Sequence, residues 1–95
     1  GYQQAVCAIQ LALEEESRLR NVTKEIYWEV GSRCGRKWTA VERNIRTVIA
    51  IAWSENRPLL EKMAGHPLSH RPQPVQFLSI LVSALRSGAA ERFLE

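Results

Sequence analysis

Nowhere in these 95 residues do apolar side chains run unbroken for the ~20 positions that a bilayer-spanning helix requires, and no charged-then-apolar leader opens the chain. A soluble, cytoplasmic domain is the expectation. Cysteine is scarce: Cys7 and Cys34 are too few for a disulfide framework, and neither has a second Cys or a His at a metal-ligand spacing. Both are expected to be buried thiols in a reducing cytosol. Strand-like alternation, internal repeats and low-complexity tracts are missing as well. His66 and His70 stand in a Pro-rich loop, but no nucleophile, carboxylate pair or Gly-rich phosphate loop converges with them. Neither catalysis nor a metal or cofactor is therefore expected. The first residue is Gly1 rather than Met, which suggests a piece of a longer protein.

What is present suits one domain over residues 1–95. A hydrophobic content of 45% can fill a modest core at this length, but not two. The net charge of +3 is unevenly spread. Arg18, Arg20, Lys24, Arg33, Arg36, Lys37, Arg43 and Arg46 face only Glu25, Glu29 and Glu42 within residues 18–46, and the remainder is slightly acidic. Positive charge gathered on one third of a small domain suits a polyanion, because phosphate contacts supply most non-specific nucleic-acid affinity.

The apolar period is helical throughout, which predicts an all-α bundle of about five helices. Val6, Ile9 and Leu13, with Ala5 and Ala12, form the inner side of a first helix. A second begins near Thr23 as N-cap, carries Ile26, Tyr27, Val30 and Cys34, and stops at Gly35. A third, about 40–53, is preceded by Thr39, which with Glu42 has the S/T-x-x-E spacing of a capping box. Pro58 opens a short fourth helix that ends at Gly65, and Pro74 opens a last one with Phe77, Leu78, Leu81, Val82 and Leu85.

Two helices joined by a few residues containing Gly35 have the helix-turn-helix outline, whose second helix enters the DNA major groove. Small Gly31 permits close packing, and Val41 plugs the angle between the helices. On the third helix Val41, Ile45, Val48, Ile49 and Ala52 share one side, with Arg43, Arg46, Thr47 and Ala50 opposite. Beyond Val48 the polar side disappears, so the second half is expected to be buried nearly all round with Trp53 as anchor. A basic first half projecting from such an anchor suits a reading head.

The stretches "TKEIYWEVGSRC" and "TAVERNIRTVIAIAW", a Gly-ended short helix and a P-x-x-x-x-F-L pattern before the last helix resemble the C-terminal DNA-binding domain of the stage-zero sporulation response regulator of endospore-forming bacteria. The resemblance runs from the opening "GY" to about Leu85, and V-E-R-x-I-R followed by A-W is its most specific part. It implies a six-helix effector domain on promoter DNA, attached behind a phosphorylatable receiver domain, with two domains bound head to tail on repeated sites. Against that pattern the chain starts in the second helix, the loop from Gly65 to Pro72 is shorter, and the turn reads "RKW" where small polar residues are usual.

Arg43 and Arg46 match the two motif arginines, and an Arg can offer two donors to guanine O6 and N7. Thr47 and Ala50 sit where the resemblance places residues that reach bases. Glu42 can accept from cytosine N4 or serve the cap. Lys24, Arg36, Lys37, Trp38 and Thr39 suit the sugar-phosphate backbone, whereas Trp28 and Trp53 are expected to pack internally. Exposed Arg86, with Phe93 and Leu94, offers a surface for a neighbouring domain. The competing reading is a helical protein-interaction module, whose binding would lack the salt dependence of a DNA complex.

Overall fold

A computed structural model describes residues 2–88, and the features reported below belong to those residues. Four α-helical elements carry the fold: α1 (Gln3–Glu14), α2 (Trp28–Cys34), α3 (Trp38–Ala64) and α4 (Pro74–Ser87). A kink at Asn56 divides α3 into two limbs, 38–55 and 57–64, which gives five helical segments and no strand among the described residues.

The inner side of α1 is built from Ala5, Ala8, Ile9, Leu11 and Ala12. Its alanines let the helix lie close to α3 and α4, both of which it packs against. Val6, expected inside, is 42% exposed instead, because the buried stripe runs one position away from it. Glu15 ends α1 in extended backbone. Arg18 then folds back, donating to the Leu11 carbonyl at 2.7 Å and pairing with Glu14 at 3.2 Å. A cation placed there gives a last-turn carbonyl, which already accepts the Glu15 N–H, a second donor and complements the helix dipole. It is thereby withdrawn from the basic surface inferred from composition.

A 3-10 helix over Glu16–Asn21 leads through Val22 into a π-helical turn, Thr23–Tyr27, and on into α2. Thr23 is therefore not an N-cap: Val22 already has helical dihedrals, and Thr23 lies inside the helical run that follows it. Ile26, Tyr27 and Val30 take the inner stripe. Trp28, expected to pack internally, is 55% exposed because it falls outside that stripe. The cysteines also depart from expectation. Cys7 is half-buried, and Cys34, in the final turn of α2, is exposed.

The core centres on the first limb of α3, where Val41, Ile45 and Ile49 are buried. At roughly 1.5–3 kcal/mol per buried aliphatic side chain, these three residues are a strong anchor. Val48, Ala52 and Trp53 are half-buried, but Ile51 is 39% exposed, so the dry half of the limb is not covered all round. At the kink, Asn56 Oδ1 accepts the Leu59 N–H at 3.4 Å and caps the second limb. Pro58 then lies in that limb's first turn, as its sequence position predicts.

The second limb fixes the loop that follows. The Leu68 N–H donates to Glu61 Oε2 at 2.6 Å, while Arg57 donates to the Leu68 carbonyl and stacks 4.2 Å from the Trp53 ring centroid. With its side chain buried and both backbone groups held, Leu68 pins the loop against α3. Pro74 opens α4, which buries Phe77, Leu78, Leu81, Val82 and Ala84 against the core. Arg86 is not a free surface cation: it donates to the Leu13 carbonyl at 3.1 Å and lies 3.9 Å from Glu16. Phe93 and Leu94 lie outside the described residues.

Candidate nucleic-acid interface

The link between α2 and α3 consists of Gly35, Arg36 and Lys37. Gly35 adopts φ +67°, the left-handed conformation that lets a helix end in a tight turn. The Arg36 N–H then returns to the Gly31 carbonyl at 2.8 Å. A Cβ on Gly31 would run into the carbonyl oxygen of Arg36. The small residue expected to ease helix packing therefore makes room for the turn's own backbone. Val41, one turn into α3, is buried where the two helices meet.

Helix α3 starts before the expected position. The Lys37 carbonyl accepts from the N–H groups of Ala40 and Val41, at 3.0 and 3.2 Å, so Lys37 occupies the N-cap position and Trp38 the first helical one. Thr39 lies inside the helix, and the Thr39/Glu42 capping box does not form. Glu42 instead pairs with Arg46 at 3.5 Å, one turn further on.

The first limb stands as a ridge between two open clefts. Gln4, Arg36, Ala40, Arg43, Asn44 and Thr47 line one; Arg46, Ile49, Trp53 and the loop from Ser69 to Gln73 line the other. Arg43, Arg46 and Thr47 are exposed along the ridge, Glu42 and Ala50 are half-buried, and Trp38, Thr39, Arg36 and Lys37 are exposed at its N-terminal end. Lys24 is exposed in the π turn that precedes α2. The sequence-derived base-reading residues thus share one limb, with four of the five backbone candidates at or beside the turn and Lys24 on the preceding helical segment.

Their donors are not equally free. The Thr47 hydroxyl donates to the Arg43 carbonyl at 3.0 Å, which leaves its lone pairs and methyl group for a partner. Arg46 donates from Nη1 to Gln73 Oε1 at 3.3 Å, in addition to its pairing with Glu42. Beneath this pair lies the buried Tyr27, whose phenol is pushed up to about 12 by burial, with Glu42 adding to the shift and Arg46 opposing it. Gln4, Tyr27 and Gln73 were not among the sequence-derived candidates. Tyr27 was legible only as an apolar position, and nothing local marks Gln73, which meets Arg46 across 27 residues of chain.

Among the described residues no group of His, Cys, Asp and Glu side chains is arranged to hold a metal ion, and no helix is long and apolar enough to cross a membrane. Residues 1–85 match the family model described as sporulation initiation factor Spo0A C terminal. The chain belongs to this family. The Spo0A C-terminal family is the DNA-binding effector domain of a sporulation transcription regulator, and it is not a catalytic family. The Spo0A match spans every helical segment as far as the last turn of α4. No solved structure matches the chain.

Proposed function

We propose that this domain is a sequence-specific, double-stranded DNA-binding regulator of the bacterial cytoplasm, and that the first limb of α3 is its recognition helix. Arg43 and Arg46 then face base edges in the major groove, Thr47 offers its methyl group and lone pairs to a base, and Glu42 chiefly orients Arg46. Arg36, Lys37, Trp38 and Thr39 meet the sugar-phosphate backbone at the turn, and Lys24 reaches it from the π-helical turn before α2.

One observation carries this reading. Arg43, Arg46 and Thr47 lie exposed on the limb whose opposite side, Val41, Ile45 and Ile49, is fully anchored. A rigid helix with a polar, cation-rich outer side and clefts to left and right can enter a groove without rearranging. Membership of a DNA-binding family supports the same partner. An upstream receiver domain, and head-to-tail pairing on repeated sites, belong to this proposal as well.

Selection of bound sequences from a random DNA pool, followed by titration at several salt concentrations, tests it. Arg43→Ala and Arg46→Ala should each cost ~1–3 kcal/mol of preference for the selected site, whereas Lys37→Ala should weaken all sequences alike and reduce the salt slope by about 1. Uniform weakening by all three substitutions would remove the base-reading assignment. Binding with no salt dependence would favour a protein-interaction module instead.

A further inference from the structure

Gln73 occupies the position before α4 where a polar side chain commonly accepts an N–H from the helix's first turn, yet it makes no such bond. Its side-chain oxygen accepts instead from Arg46 Nη1 at 3.3 Å. The backbone that carries it is well supported. Pro72 and Pro74 on either side are buried, and the loop behind them is fixed through Leu68 by Arg57 and Glu61. On the other side of the guanidinium, Glu42 Oε1 lies 3.5 Å from Nε. Arg46 is thus held between an acceptor one turn back on its own helix and another at the N-terminus of α4.

We infer that Gln73 is a positioning residue for Arg46 and thereby determines how sharply one base pair of the DNA site is discriminated. This deepens the proposed function and rests on α3 being the recognition helix. A guanidinium has five N–H donors. Gln73 accepts one of them while Glu42 pairs with the guanidinium from its Nε side, and guanine O6 and N7 require two of the donors that remain. A long side chain fixed in this way loses less freedom when it meets a base, and a planar fork aimed in one direction fits one base edge better than the others. The neutral amide of Gln73 restrains the arginine without cancelling the charge that attracts DNA.

Base preferences and competition binding should be measured for the wild type, Gln73→Ala, Arg46→Ala and the double variant. Gln73→Ala should reduce discrimination by roughly 2- to 10-fold at the one base pair whose preference Arg46→Ala abolishes. Other positions, non-specific binding and the melting temperature should be unchanged, and the double variant should match Arg46→Ala. If Arg46→Ala loses that preference while Gln73→Ala keeps it in full, or if Gln73→Ala adds an equal loss to Arg46→Ala, the positioning role is overturned and the recognition helix stands. If Arg46→Ala weakens every sequence equally, base reading by Arg46 fails, and the role of Gln73 fails with it.

Discussion

Replacing Gly31 by alanine is the sharpest probe of the turn that sets the first limb of α3, the proposed recognition helix, on its support. In an unconstrained helix this change is favourable by about 0.8–1 kcal/mol, because glycine loses more backbone freedom on folding. Here the added Cβ meets the Arg36 carbonyl oxygen, a backbone atom that cannot rotate aside. Relieving the overlap requires the turn to move, at about 1–3 kcal/mol for an overpacked site. Movement also weakens the Arg36 N–H bond to the Gly31 carbonyl, now 2.8 Å long, which contributes about 0.5–1.5 kcal/mol. The unfavourable effects outweigh the propensity gain and leave a net loss of about 1–3 kcal/mol. For a domain of this size that lowers the melting temperature by roughly 5–20 °C.

Thermal or urea unfolding followed by circular dichroism measures the loss, and DNA titration well below the melting range shows whether the displaced turn also weakens binding. Gly35→Ala is the matched control. It meets no atom, but its backbone at φ +67° is unfavourable for alanine by about 1–2 kcal/mol. A Gly31→Ala domain as stable as the wild type, or more so, would mean that the turn does not cross α2 at this point, and the placement of Arg36 and Lys37 beside the ridge would fail with it.

Three further outcomes follow from the geometry. Asn56→Ala should destabilise by ~0.5–2 kcal/mol because Asn56 caps the second limb, whereas Thr39→Ala should stay within about 0.5 kcal/mol in melting experiments because Thr39 is an exposed helical residue and not a cap. Tyr27 has its folded-state pKa raised from 10.0 to about 12, so its contribution to stability is intact below pH 10 and is lost as pH rises from there through about 12. Unfolding measured across that range should show a decline that Tyr27→Phe reduces, and an identical decline in the variant would contradict the buried phenol. The free domain should sediment as a monomer and bind two direct-repeat sites cooperatively, since a small heterologous contact gains from adjacency on DNA. A stable two-fold dimer without DNA, formed through exposed Val6 of α1 and Tyr2 just before it, would refute this expectation.

The helices were legible because their inner stripes repeat at helical spacing, and Gly35, Gly65, Pro58 and Pro74 fall at the observed ends and starts. The starts assigned to threonines were not. Thr39 and Glu42 carry the capping spacing, but the Gly31–Arg36 bond returns the chain early enough for the Lys37 carbonyl to take the first helical bonds. Thr23 fails for a related reason: the Arg18 anchor lets the preceding 3-10 helix run directly into the next turn. Charge counting was misleading at Arg18, Arg33 and, in part, Arg46. Each is engaged with a carboxylate on the protein itself, so the free positive surface is narrower than the composition suggests.

What no local pattern contains is the convergence on Arg46. Tyr27 comes from the π turn, Glu42 from the same limb, and Gln73 from beyond a loop that reaches the ridge only because α3 breaks at Asn56. The break lets the second limb take a new direction, and Arg57 and Glu61 on that limb hold Leu68 so that the following residues lie beside Ile49 and Trp53. The change from wet to dry along residues 39–53 therefore serves two requirements. Its dry end supports the loop that supplies Gln73, and its wet end carries the arginine that Gln73 holds. Loosening the Leu68 clasp should disturb base discrimination at the Arg46 position before it disturbs Arg43, which lines the opposite cleft.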